Sequence, residues 1–307
     1  MKVVSLFSGT GGLDLGLKQA GLDIIWANDL YADAVETYKK NIGDHIILED
    51  ISKISSEDIP ECDVVVGGFP CQGFSQANMK RKADDPRNTL YLEMIRVIRD
   101  KKPKYFIAEN VRGILSLDKG KVIEQIVSDF NSLDYNVSYS LLNCADYGVP
   151  QKRMRVIILG VRKDIPNDLV FPPEKTHSEK PDISLTPWFT VGQALAHYPD
   201  PDLDHNVPNH EYSNFKLKFN GHLGHRVIDP NQPSPTITGR GDEKGGVVVL
   251  HHPNNKRRMT VRETAAVQSF PDTFIFMGTK TSAYRQIANA VPPKLGYVLG
   301  EMLLKNR

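Results

Sequence analysis

Cys71 is the residue with the most chemistry to offer. It sits in Val64-Val65-Val66-Gly67-Gly68-Phe69-Pro70-Cys71-Gln72, a valine run that ends in glycines and then turns on a proline. Such a run reads as a buried parallel strand, and in open α/β sheets ligands and catalytic groups gather at the carboxyl ends of the strands. A cysteine there suits a nucleophile, while a buried and inert thiol is the other reading of a single Cys. Glu109, in Ala108-Glu109-Asn110-Val111, ends a second apolar run and belongs on the same rim. Attack of a thiolate on an electron-poor ring carbon becomes feasible when a carboxyl group holds the ring nitrogen that accumulates charge. Gln151-Lys152-Arg153-Met154-Arg155 leads into a third run, where alternation predicts Arg153 and Arg155 on the same side. Their guanidinium forks could hold a carbonyl oxygen or lower the pKa of the thiol.

A ligand turn is expected at Phe7-Ser8-Gly9-Thr10-Gly11-Gly12, between the first strand and a helix. A dinucleotide fingerprint starting at Gly9 would need glycine where Asp14 stands, which disfavours a pyrophosphate-binding dehydrogenase and suits a nucleoside without phosphate contacts. Asp29 and Asp50 end the next two strands, placed for a ribose and an adenine amino group respectively; each could equally be a helix cap or turn residue.

These groups need a scaffold. Val3 to Phe7, Ile24 to Asn28, Ile46 to Leu48, Asp63 to Gly67, Lys104 to Glu109, Val137 to Leu142 and Val156 to Val161 read as strands. Helical stretches separate several of them, with Leu90, Met94, Val97 and Ile98 lining one face and Val122, Ile126 and Phe130 another. The fold class is α/β, a doubly wound, mostly parallel seven-strand sheet. From about Asp164 prolines break the pattern, and short runs at Pro235 to Thr238 and Val247 to Leu250 suggest a small irregular β module. Helical periodicity returns over Val261 to Ser269 and Tyr284 to Leu304, where Pro292-Pro293 should interrupt or restart the helix.

Bulk properties set outer limits. The 307 residues suffice for one large domain and a smaller one, and a formal net charge of +1 does not mark a bulk nucleic-acid binder. Basic clusters at Lys80 to Lys82, Lys152 to Arg155 and Lys256 to Arg258 could meet phosphates or be solvated surfaces. Three cysteines, none in a C-x-x-C pair, argue against a disulfide framework or a zinc site and for a reducing compartment, so a cytoplasmic enzyme is expected. No apolar signal stretch opens the chain and no run approaches a membrane span.

Taken in order, Phe-x-Gly-x-Gly-Gly, Pro-Cys-Gln, Glu-Asn-Val, Gln-x-Arg-x-Arg, Arg262-Glu263 and Gln286-Ile287-Ala288-Asn289-Ala290-Val291-Pro292 resemble the DNA (cytosine-5) methyltransferase family. The likeness weakens between about Lys175 and Leu250, where it is nearest to small bacterial modification enzymes of the HaeIII type. The resemblance implies a class I S-adenosylmethionine-dependent fold, with a catalytic domain over 1–170, a target-recognition domain over 171–258 and a returning segment over 259–307. It implies that Cys71 attacks C6 of a cytosine, Glu109 engages N3 and the amino group, Arg155 holds O2, and Arg153 supports the loop and the thiolate. S-adenosylmethionine would lie among Phe7, Gly9, Gly11, Gly12, Asp29, Leu30, Asp50, Ile51, Phe69, Leu90 and Asn289. Asp29 is one methylene shorter than the usual Glu, and Leu30 replaces a frequent aromatic.

The target carbon lies inside the base stack, so the cytosine must be extruded from double-stranded DNA. Gln72, Ser75 and Arg81, in a loop that resembles the family's mobile segment, and Arg226, Thr236 and Arg240, in the recognition region, are the expected DNA contacts. An arginine fork on guanine is the commonest specific contact, although either arginine could serve phosphate alone. The resemblance further implies a monomer in the bacterial cytoplasm, associated with the nucleoid, with a cognate restriction endonuclease acting independently. An RNA-methylating relative is disfavoured because the Cys-Phe-Thr tripeptide of that branch is absent. An inactive DNA-binding relative is disfavoured by the intact Cys71, Glu109 and Arg155.

Overall fold

Successive residues of a strand point to opposite faces, and in this chain both faces are apolar. The computed structural model describes residues 1–69, 90–166, 168–213, 215–222, 224–239 and 248–305; Cys71, Gln72, Ser75, Arg81 and Arg240 lie outside the described residues. The strands are β1 Lys2–Leu6, β2 Asp23–Asp29, β3 Ile46–Leu48, β4 Val64–Gly67, β5 Tyr105–Val111, β6 Tyr135–Asn143 and β7 Met154–Arg162, with the two-residue β8 His177–Ser178 and β9 Thr186–Pro187. The helices are α1 Gly12–Gln19, α2 Ala32–Asn41, α3 Leu90–Lys101, α4 Lys121–Asn131, α5 Val191–Leu195, α6 Val261–Val267, α7 Lys280–Asn289 and α8 Pro293–Leu304.

The main sheet has seven strands in the order β3-β2-β1-β4-β5-β7-β6. Pairings from β3 through β5 are parallel, while β7 runs antiparallel to both β5 and β6. One face, with Val3, Ile24, Val64, Val66 and Ile107, packs on Leu13 and Leu17 of α1 and Leu295 and Leu299 of α8. The other, with Val4, Leu6, Val65, Phe106 and Ala108, packs on Met94 and Val97 of α3 and Ile126 and Phe130 of α4. Full burial of each such side chain contributes about 1.5–3 kcal/mol, so the two-sided core is what holds the rim rigid.

The chain restarts at the double proline as expected, with α7 ending at Asn289 and α8 opening at Pro293. Helix α8 then lies so close to α1 that a Cβ on Gly16 would stand 2.1 Å from Pro293 O, and one on Gly296 would stand 2.5 Å from Leu13 O. This contact brings the C-terminal segment against the start of α1. Among the described residues no helix is long and apolar enough to cross a membrane.

The region after Asp164 departs from one detail of the sequence reading. Neither Pro235 to Thr238 nor the described part of the later run, Val248 to Leu250, forms a strand; among the described residues the strands after Asp164 are the two-residue β8 and β9, and these later stretches adjoin isolated bridges, Gln151 to Ser234 and His251 to Arg258. The reason is competition from side chains. Ile237 N donates to Gln151 Oε1 at 3.0 Å and Ile237 O accepts from Arg153 at 2.9 Å, so its backbone groups are satisfied without a neighbouring strand. Ile237 itself is buried with Val191, Ile228, Leu250, Met259 and Val267.

Candidate active site

The strand order reverses between β1 and β4, and the connections that follow both strands open at their carboxyl ends. In a sheet of this type that crevice is the ligand site. After β1 the backbone takes positive φ at Phe7 (54°), Gly9 (55°) and Gly11 (82°), winding the turn that opens α1. Gly9 N donates to Asp29 Oδ2 at 2.7 Å and Tyr31 N to Oδ1 at 2.9 Å, so the carboxylate at the end of β2 ties two turns together. Burial raises the Asp29 pKa above its ordinary value, against the lowering effect of these N–H donors.

Asp50 serves as the cap of a short 3₁₀ turn, its Oδ1 accepting from Ser52 N at 3.0 Å and Ser52 Oγ at 2.9 Å. Ile51 and Phe69 are buried and Leu90 is half-buried, whereas Leu30 and Asn289 are exposed at the rim. A nucleoside fits this set. A Cβ on Gly9 would meet nothing within 4 Å, so the turn faces open space, with an acidic group at Asp29 and apolar side chains at Leu30 and Tyr31 beside it.

Glu109 stands on the neighbouring part of the rim because of register. β4 and β5 pair Gly67 with Ala108, which puts Glu109 level with Gly68, and a Cβ on Gly68 would lie 3.1 Å from Glu109 Oε2. The glycine leaves the carboxylate room directly beside the chain that leads to Cys71. Across the sheet Val111 pairs with Arg155, so Arg155 lies diagonal to Glu109 on the same face, and Arg155 Nε approaches Glu109 Oε1 to 2.6 Å. Both side chains are nearly buried, at 9% and 12% exposure, so this ion pair is shielded from solvent. Asn110 Nδ2 donates to Phe69 O at 2.9 Å, tying β5 to the chain just before Pro70. In the sequence Asn110 is one member of the Glu-Asn-Val motif, and an Asn following a rim Glu is the signal for this contact.

Arg153 corrects an expectation. It precedes β7, so strand alternation does not govern it, and its fork turns to Ile237 O (2.9 Å), Ala288 O (2.7 Å) and Ala290 O (2.9 Å). Burial pulls its pKa down to about 9, with the nearby Arg155 charge the next cause. It therefore knits the segment around Ile237 to the end of α7, next to Asn289, while Arg155 is the one of the two that meets Glu109. Thr236 Oγ1 donates to Lys152 O at 2.6 Å. Arg226 is exposed, with Nε donating to Gly221 O at 2.8 Å. Of the other cysteines, burial pushes the Cys62 thiol up to about 12 and the Cys144 thiol to about 11, so neither carries thiolate near neutral pH.

Parallel strands reversing between β1 and β4, one antiparallel strand at β7 and a glycine turn opening α1 after β1 define a class I methyltransferase. Residues 1–305 match the family described as C-5 cytosine-specific DNA methylase, and the chain belongs to that family. It is 42% identical over 321 residues to the type II methyltransferase M.NgoFVII of Neisseria gonorrhoeae, covering 95% of this chain and 83% of the relative. It is 37% identical to the type II methyltransferase M.FnuDI of Fusobacterium nucleatum, covering 99% of this chain and 94% of that one. Among solved structures it is similar to a DNA modification methyltransferase encoded within an E. coli prophage, with a TM-score of 0.78, 26% identity and 99% of each chain covered. The chain is a DNA cytosine-C5 methyltransferase of the kind found in restriction–modification systems.

Proposed function

We propose that this enzyme methylates a cytosine within a specific duplex sequence, as the modification partner of an independently acting restriction endonuclease, with Cys71 as its nucleophile. The observation that carries the reading is the Glu109 carboxylate, set beside Gly68 and held by Arg155 next to the chain that runs into Cys71. A flipped cytosine would present C6 to the thiol and N3 to the carboxyl group. The thiolate forms the Sγ–C6 bond and the C5=C6 electrons shift toward C5 and N3. Glu109 holds the proton at N3, where charge would otherwise build up, and Arg155 orients Glu109 and donates to O2. S-adenosylmethionine, when bound, supplies an electrophilic methyl group for C5. Loss of the C5 proton to solvent water re-forms the C5=C6 bond from the C5–H pair, and the Sγ–C6 pair returns to sulfur as the thiolate departs.

The residues that would hold the methyl donor are those of the turn from Phe7 to Gly12 with Asp29, Asp50, Ile51, Phe69, Leu90 and Asn289. Residues 171–258 would form the target-recognition domain, with Arg226 and Arg240 its candidates for guanine. Bisulfite sequencing of DNA from cells expressing the chain tests the reading, since it reports both modified base and context. Protected cytosines in one recurrent sequence are expected, and Cys71→Ser should abolish them while leaving DNA binding intact. Wild-type levels of modification in that variant would refute the mechanism.

A further inference from the structure

Asp14 occupies the third position of α1, where a carboxylate ordinarily faces solvent near the helix N-terminus. Here it is fully buried beneath the glycine turn. Ser5 Oγ donates to its Oδ1 at 2.7 Å and Tyr38 Oη to its Oδ2 at 2.9 Å. Ser8, inside the turn, donates to Ser5 Oγ at 3.0 Å and to Ser5 O at 3.1 Å. At the other end of the turn the Tyr38 ring lies under Gly11, where a Cβ would stand 2.7 Å from it. The carboxylate thus grips the turn at both ends, through Ser5 and Ser8 on one side and through Tyr38 on the other. Among the described residues no cation pairs with it, and burial pushes its pKa up to about 6. A buried charge held only by neutral donors costs stability, and the return for that cost is a fixed turn.

We propose that Asp14 is a positioning residue for the methyl donor, its ionised carboxylate holding the turn from Phe7 to Gly12 in the shape that receives the ligand. The inference rests on the reading that this turn binds the donor. The titratable and charged groups around Asp14 are few. Lys18, on α1 itself, donates to Ile42 O at 2.8 Å, and His45 Nε2 meets Tyr38 Oη at 3.0 Å, with Asp23 and Asp44 near it. β2 contributes Asp29 through Gly9 N, and α8 contributes Lys294, bonded to Gly148 O, and the paired Tyr297 and Glu301.

Calorimetric binding of S-adenosylhomocysteine to the full chain between pH 5 and 8 is the test. The wild-type protein should bind tightly above pH 6 and progressively less well as the pH falls through that value. Asp14→Asn replaces one acceptor oxygen by a donor; it should bind about tenfold more weakly at pH 7.5 and lose the step near pH 6. Tyr38→Phe keeps the ring under Gly11 and removes one bond that lowers the Asp14 pKa, so the step should move to higher pH. The folded chain holds the Asp14 proton up to a higher pH than the unfolded chain does, so ionisation lowers stability as pH rises from about 4 to 6. Asp14→Asn should therefore melt no lower than wild type at pH 7.5, which separates lost binding from lost fold. Unchanged affinity in Asp14→Asn overturns the proposal, as does a step that survives this change, since it would belong to His45 or Asp29. Failure of the wild-type protein to bind at any pH overturns instead the reading of the turn on which the proposal rests.

Discussion

Glu109 owes its position to a strand register, whereas Ile237 owes its position to a few side chains that reach across the molecule. At the rim, main-chain ladders fix where each residue falls, and the two apolar faces of the sheet fix the ladders. Around Ile237 and its neighbours after Asp164, buried guanidinium groups replace the ladder. Arg258 donates to Lys216 O, Gly224 O and Val249 O, and Arg262 to Pro208 O, Pro271 O and Phe274 O. Arg153 completes the set on Ile237 O, Ala288 O and Ala290 O. A ladder spreads its cohesion over many backbone bonds that no side-chain change removes. A guanidinium hub concentrates it in one residue.

The sharpest way to break this contrast is at the rim. Glu109→Gln keeps the shape and the strand but removes the carboxyl group, so methyl transfer to duplex DNA should fall by about 10²–10⁴-fold. Binding of S-adenosylhomocysteine should stay unchanged, because the turn after β1 is positioned by other strands. Radiolabelled transfer alongside calorimetry reads both quantities, and a fall in cofactor binding equal to the fall in turnover would show that the rim is not built in separable parts.

Arg258→Met addresses the other construction. It leaves carbonyls of three segments without their donor in a buried setting, at about 1–3 kcal/mol for each one left unsatisfied. Hydrogen exchange should rise in residues 215–222 and 248–250, and DNA affinity should drop, while exchange in β1, β4 and β5 stays slow. Uniform acceleration across the chain would mean that the Arg258 region is no more independent than a strand of the sheet.

These two constructions also explain which parts of the molecule were legible in the sequence. The seven strands of the main sheet and the faces of α3 and α4 follow from local apolar periodicity, which a core imposes on every residue that lines it. The antiparallel direction of β7 was not legible, because an apolar run reads alike in either direction. Pro235 to Thr238 looked like a strand because its side chains suit one, but Gln151 and Arg153 capture its backbone from more than 80 residues away. In the sequence Asp14 signals only the absence of a dinucleotide fingerprint. Its burial depends on Tyr38, which α2 delivers from 24 positions later, and nothing local announces that meeting. The sequence fits Asp50 to a ligand contact and to a cap alike, and the structure shows the cap.

That last residue supports a smaller and finer test, because its two roles can be pulled apart. Asp50→Ala removes the acceptor for Ser52 N, a loss worth about 1 kcal/mol at a capping position. If the carboxylate also accepts from the adenine amino group, S-adenosylhomocysteine should bind about three- to tenfold more weakly, the range expected for one hydrogen bond. Asp50→Ser separates the effects. Serine is as good a cap as aspartate, so stability should return, but its shorter side chain cannot hold the turn and reach a ligand together. Recovery of the unfolding midpoint without recovery of affinity is the expected result. Affinity that returns along with stability would make Asp50 a turn residue only, and would leave the adenine edge to be read by the backbone of Ile51 and its neighbours.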